Sequence, residues 1–517
     1  MKYFLKTALY LFCAAFIFTA CEGQFDSLVD ERLENNPVPD NSVEADAGQA
    51  DFSNYVAIGN SLTAGFMDGA LYNLGQQNSI PALLADQLAL AGGADTFNQP
   101  DINSELGFNT SVSPNPAPSG AVLGRFKLDT NIPGPSPTIG GDPIAPFSGD
   151  KSALDNFGVP GILLGQLLTP ATGGPQSPQN PAFNPFYARF ASAPGSSTIL
   201  GDAVATQPTF FTLWIGNNDV LGFAASGGSN PGILTSPAAF SAQFNATINT
   251  LIGNTSASGV VVNIPPLLGI PFFQAVGFDA IPLDEATAGA LNQGYQQYNG
   301  GVNQAAQGGF ITQEEAARRQ ISFSAGQNAF VIEDETLTNI PNLPNLRQAE
   351  PTDLAILPLG GVLGQDQGNG PVGLQDPVGD RFVLIPQEQQ QIEQNRAAFN
   401  ATISSAVDAN SDRLALYNTN APDGVFADLF GLAPGDGLGV TVNGVNLAPD
   451  FSPNGVFSTD GVHPNPRGSA VIANEIIDVI EQNFGATIPD VDVLRLPSVQ
   501  ICAGNCVSQQ GQGEEDS

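Results

Sequence analysis

Short apolar runs alternate along the chain with longer segments that are apolar on one face. Residues 55–59 (Tyr-Val-Ala-Ile-Gly), 209–216 (Thr-Phe-Phe-Thr-Leu-Trp-Ile-Gly) and 260–264 are nearly uninterrupted apolar stretches. Such runs predict strands buried on both faces. Residues 80–91 predict a helix with Pro81 in its first turn. Residues 237–252 predict a helix with one apolar face. Residues 387–409 predict a long helix followed by a strand at 413–417, and 466–484 predict a closing amphipathic helix. Strands alternating with helices imply an α/β fold with a mainly parallel sheet and helices on both faces. In such sheets ligands bind beyond the carboxyl ends of the strands.

Two stretches interrupt this pattern. Residues 66–153, apart from the helix at 80–91, are rich in Pro, Gly and Asn. Residues 268–386 hold helical pieces at 284–307 and 312–319 among long Pro/Gly-rich loops. Loops of that length are usually functional or disordered. Both are expected to enlarge one domain spanning 51–500 rather than to make a second. No internal repeat is present.

The ends differ from the body. Lys2 and Lys6 precede an apolar run at 8–18 that is short for a membrane span, and Thr19-Ala20 lead directly into Cys21. This resembles the lipobox of bacterial lipoproteins. The resemblance implies a signal peptide at 1–20, acylation of Cys21, and a cell-envelope protein anchored by lipid, with the outer membrane as the expected location. Residues 21–50 then form an acidic tether, and 508–517 a Gln/Gly/Glu tail expected to be disordered. No other stretch approaches 18 uninterrupted apolar residues.

Composition narrows the chemistry. Among 517 residues there are 50 Asp+Glu against 15 Lys+Arg, a net charge of -35. A nucleic-acid partner is not expected, because neutralising phosphates requires clustered cations. Self-repulsion of this size suits a soluble protein in a salt-screened medium. A single His excludes multi-histidine metal sites, and four Cys exclude a disulfide scaffold. With Cys13 in the leader and Cys21 acylated, Cys502 and Cys506 remain. Export favours a local disulfide between them, and Gly504-Asn505 allow the turn; two cysteines alone make a weak metal site.

The one imidazole, His463, follows Asp460 by three residues in Asp460-Gly461-Val462-His463-Pro464, just before a predicted helix. A carboxylate at that spacing can hold an imidazole N–H, fix its tautomer and stabilise its protonated form. Ser61 lies just past the first strand, in Gly59-Asn60-Ser61-Leu62. It is placed either to cap a helix or to act as a nucleophile at the ligand edge of the sheet. Asn218, in Gly216-Asn217-Asn218-Asp219, follows another strand. It can form an Asx turn or aim its amide at developing negative charge. Gly161, in Gly158-Val159-Pro160-Gly161, can present a backbone N–H at close range.

These four blocks, in this order, resemble those of the GDSL, or SGNH, hydrolases, and they frame residues 59–463. The sequence Phe66-Met67-Asp68-Gly69-Ala70-Leu71-Tyr72 is also similar to large exported members from Bacteroidetes-type bacteria. The resemblance implies a flavodoxin-like three-layer α/β/α sandwich with long insertions, and an esterase or lipase that uses no cofactor and no metal. It implies Ser61 as nucleophile, His463 as general base and Asp460 as its orienting acid. The oxyanion hole would comprise the N–H groups of Ser61 and Gly161 and the side chain of Asn218. The family's usual Asp in the first block is Asn60 here, which bears on local hydrogen bonding. The expected partner is an ester substrate: a lipid, an acylated glycan or a small ester. The same residues would serve an acyltransferase acting on glycan hydroxyls, and a non-catalytic surface binding protein is the remaining alternative. The motifs carry no information on oligomeric state.

Overall fold

The computed structural model describes residues 44–129, 134–432, 438–504 and 506–507. The expected leader at 1–20, Cys21, the tether up to residue 43 and the tail at 508–517 lie outside the described residues. Elements in chain order are β1 (Tyr55–Gly59), α1 (Ser61–Ala64), α2 (Ile80–Leu90), β2 (Asn156–Gly158), β3 (Phe210–Trp214), α3 (Asn218–Ala225), α4 (Pro237–Asn254), β4 (Ser258–Val262), α5 (Glu285–Gln307), α6 (Gln313–Arg319), α7 (Pro386–Asp408), β5 (Leu414–Tyr417) and α8 (Pro466–Phe484).

The five strands form one sheet in the order β5-β4-β3-β1-β2, and every pairing is parallel. This is the doubly wound flavodoxin-like order. β1, β3 and four residues of β4 are buried throughout, as their unbroken apolar sequences require. Helices cover both faces. α8 packs beside α2 and against β4 and β5, while α4 packs on α7. The α4–α7 seam includes a parallel stack of Phe240 on Phe399, with centroids 4.0 Å apart. α2, α4 and α8 begin with a side-chain cap from Ser79, Ser236 and Asn465 respectively, each followed by a proline in the first turn.

β2 is a strand that the apolar pattern of the sequence does not predict. It has only three residues and no apolar run, so local pattern cannot announce it; pairing with β1 through Ala57–Asn156 and Gly59–Gly158 creates it. The two insertions differ in kind. The first includes an antiparallel hairpin of Leu123–Asp129 with Gly134–Ile139. Beside it runs the C-terminal segment, where Cys502 and Cys506 are joined by a disulfide with Cα atoms 6.1 Å apart. The second insertion builds its own small core around Ile281, Leu291, Phe330 and Ile332. Arg347 is buried there between Asp334 and Asp353. Among the described residues no helix is long and apolar enough to cross a membrane.

Candidate active site

The reversal of strand order lies between β1 and β3, where the chain leaves in opposite directions and a crevice opens beyond the strand ends. Ser61 follows β1 and Asn218 follows β3, so both stand at this crevice. Gly59 lets the turn close. A Cβ there would lie 2.1 Å from Thr63 Oγ1 and 2.5 Å from the Trp214 carbonyl oxygen.

The cap of α1 is Asn60, not Ser61. Asn60 Oδ1 accepts from the Leu62 N–H at 3.0 Å. Ser61 is therefore the first helical residue, and its hydroxyl is engaged elsewhere. Its Oγ lies 2.8 Å from His463 Nε2, and His463 Nδ1 lies 2.9 Å from Asp460 Oδ2. Asn60 supplies the acceptor that an Asp would supply at this cap; its Nδ2 is buried without a partner.

Asp460 is held on both oxygens. Oδ1 accepts from the N–H groups of Val462 and His463, each at 2.9 Å, and Oδ2 accepts from the Gly69 N–H at 3.0 Å. Burial works to raise its pKa. The His463 charge and hydrogen bonds, with the Val462 N–H, outweigh burial and bring it down to about 2. The loop closes on itself through Ser458 N–H to His463 O at 2.8 Å and Gly461 N–H to Ser458 O at 2.9 Å. The Phe66 ring lies 5.1 Å from the imidazole, centroid to centroid.

Asn218 opens α3, and its Nδ2 donates to the Ile162 carbonyl at 2.8 Å. That bond brings the loop of Gly161 to the Asn218 amide while a second N–H of the same group stays available. Gly161 has φ +76° and open space where a Cβ would be. Asp219 anchors the same loop, accepting from the Leu164 N–H at 2.9 Å and the Thr235 hydroxyl at 2.7 Å. Burial, opposed by those donors, raises Asp219 to about 6.

Ser61, Asn218 and His463 line one pocket that opens to solvent. Its other walls are mostly apolar and include Leu221, Leu267, Ile270, Phe426, Leu429 and Val471. Such a pocket suits an apolar acyl group beside a polar reacting centre. Sequence reasoning missed Asp68 and Thr459, which touch the Asp460 loop from the first insertion and from the loop itself. Asp68 stands in the block 66–72 that carries a family resemblance, but nothing in that block or its periodicity assigns Asp68 a role at the Asp460 loop.

Elsewhere, Glu335, Asp380 and Glu388 bring carboxylate oxygens within 4.8 Å of one another. Burial first, and then the charges of Glu335, Asp380 and Asp334, push Glu388 up to about 8 against the lowering effect of the Ile385 N–H. This crowding is separate from the residues that line the Ser61 cavity.

No curated protein and no solved structure matches the chain. Residues 55–312 match the family model of GDSL-like lipase/acylhydrolases, and the parallel five-stranded sheet fits the SGNH fold of that family. The match ends before Asp460 and His463.

Proposed function

We propose that the protein, whose residues 55–312 match the model of GDSL-like lipase/acylhydrolases, is a serine ester hydrolase working through Ser61, His463 and Asp460. The observation that carries this reading is the continuous hydrogen-bonded chain from Ser61 Oγ through the imidazole to Asp460 Oδ2.

Ser61 Oγ attacks the ester carbonyl carbon while His463 Nε2 takes its proton. The carbonyl oxygen becomes an oxyanion and receives hydrogen bonds from the N–H groups of Ser61 and Gly161 and from Asn218 Nδ2. Asp460 stabilises the imidazolium. Collapse of the intermediate breaks the ester C–O bond, and His463 returns the proton to the departing alcohol. Water then attacks the acyl-enzyme with His463 again as base, releasing the acid and restoring Ser61.

The test is turnover of p-nitrophenyl butanoate together with labelling by a fluorophosphonate probe. The wild type is expected to do both, with the label on Ser61, and Ser61→Ala to do neither while unfolding at an unchanged temperature. Turnover retained by folded Ser61→Ala overturns the reading.

The leader supports a second part of the proposal: a lipid anchor on Cys21 in the bacterial cell envelope. Mass spectrometry of the mature N-terminus should find an acylated Cys21. An unmodified N-terminus at another residue contradicts it.

A further inference from the structure

The segment following α1 turns back onto the loop that carries Asp460 and His463. Asp68 is buried there in a left-handed conformation, φ 56°. Its Oδ1 accepts from both the N–H of Thr459, at 2.9 Å, and the Thr459 hydroxyl, at 2.6 Å. Its own N–H donates to Ser458 Oγ at 3.0 Å. The next residue, Gly69, donates to Asp460 Oδ2, the oxygen that faces His463. The remaining oxygen of Asp68 accepts from the Tyr72 hydroxyl at 2.7 Å and pairs with Arg125 Nη1 at 3.3 Å. Arg125 stands on the insertion hairpin. Its guanidinium lies 4.3 Å from the Tyr72 ring centroid and donates to Gln500 of the C-terminal segment.

We propose that Asp68 is a positioning residue for the ester hydrolysis described above, held in register by Arg125, and that the first insertion is thereby part of the catalytic apparatus. The inference rests on the Ser61–His463–Asp460 reading. The loop's internal hydrogen bonds set its shape but not its place against the end of β1. Its placement comes from outside contacts, of which Asp68 and Gly69 supply four from one side, while Phe272 N–H to Gly461 O supplies one from the other. A carboxylate that grips the backbone and the hydroxyl of one residue together fixes that residue in both position and rotation. Thr459 precedes Asp460, so a shift there carries into the imidazole, and small misplacements at a reacting centre cost large rate factors.

The experiment compares Asp68→Ala, Thr459→Val and the double variant. The readouts are kcat and KM for p-nitrophenyl butanoate, the rate of fluorophosphonate labelling, and thermal unfolding. Asp68→Ala should lower kcat and the labelling rate at least about tenfold with KM held within about twofold. Thr459→Val should lose less. The double variant should be no worse than Asp68→Ala, because both act through one contact. Asp68→Asn should recover part of the rate, since an amide oxygen can still accept from Thr459. Wild-type kcat in folded Asp68→Ala, a loss confined to KM, or losses that multiply in the double variant each overturn the proposal. Should Asp68→Ala not fold, Asp68→Asn combined with Arg125→Met leaves no buried charge unpaired. A fall of about threefold or more in kcat at constant KM then supports the proposal, and wild-type kcat overturns it. Activity in Ser61→Ala would instead strike at the hydrolase reading, and so separates the two failures.

Discussion

Ser61 Oγ and His463 Nε2 lie 2.8 Å apart although 402 positions separate them in the chain. The contact depends on two independent placements. β1 delivers Ser61 to the carboxyl edge of the sheet, and the turn before α8 delivers His463 to the same edge. Asp460 completes it by gripping the far nitrogen of the ring at 2.9 Å.

Asp460→Asn should reduce kcat by about 10³- to 10⁴-fold, because the amide no longer enforces the tautomer that leaves Nε2 free to accept a proton. Steady-state kinetics with a p-nitrophenyl ester measures this. The same substitution has a stability signature. The carboxylate falls from 3.8 to about 2 on folding, so its stabilisation is present above pH 4 and lost as pH falls through 2. Stability of the wild type should therefore decline by about 2 kcal/mol over that window, and the Asn variant should lack this part of the decline. Denaturant titrations at pH 5, 4, 3 and 2 compare them.

Asn218→Ala removes the tie to Ile162 and, on the proposed mechanism, one donor to the oxyanion. A fall in kcat of about 10²- to 10³-fold is expected, with a smaller change in KM. Equal kcat in the variant would mean that this amide faces no developing charge.

The apolar cavity predicts a preference for butanoate or longer esters over acetate. Leu429 is a buried wall residue. Leu429→Phe takes room from the cavity, and the ratio of kcat/KM for octanoate over butanoate should fall about tenfold or more. Reading a ratio within one variant removes any general cost of overpacking, about 1–3 kcal/mol. An unchanged ratio would place the acyl chain elsewhere.

Glu388→Gln should stabilise the protein in alkaline solution. A carboxyl raised from 4.5 to about 8 on folding binds its proton more tightly in the native state. Native stability is therefore lost as pH rises from about 4.5 to 8. Gln keeps an acceptor for the Ile385 N–H, which Glu388 Oε2 meets at 2.9 Å, and carries no charge. At pH 9 the variant should be more stable by about 1–2 kcal/mol after allowance for solvent screening, and the difference should vanish near pH 4. Thermal unfolding across that range tests the sign.

The family match at 55–312 covers three of the four motif blocks, all but the one holding Asp460 and His463, and the strand and helix pattern was legible wherever elements are long or fully buried. β1, β3 and α8 could be read locally because burial on both faces, or on one helical stripe, imposes a composition that a short window reveals. β2 could not, since its existence comes from a neighbour's unpaired edge. The ambiguity between Ser61 as cap and Ser61 as nucleophile is of the same kind. A serine at a strand–helix turn suits both, and only the placement of Asn60 in the cap frees the hydroxyl.

What the amino-acid order determined by itself was the alternation that makes a parallel sheet, the residue types that the proposed acyl transfer would use, and the scarcity that leaves one imidazole in the chain. What the tertiary structure alone decided was their meeting: which strand ends become neighbours, which side chain caps α1, and that Asp68, in a stretch without periodicity, reaches the loop of Asp460. The reason is physical. Secondary-structure propensity and burial act over a few residues and leave a mark in sequence, whereas a hydrogen bond between Asp68 and Thr459 depends on the packing of the whole sheet and has no local signature.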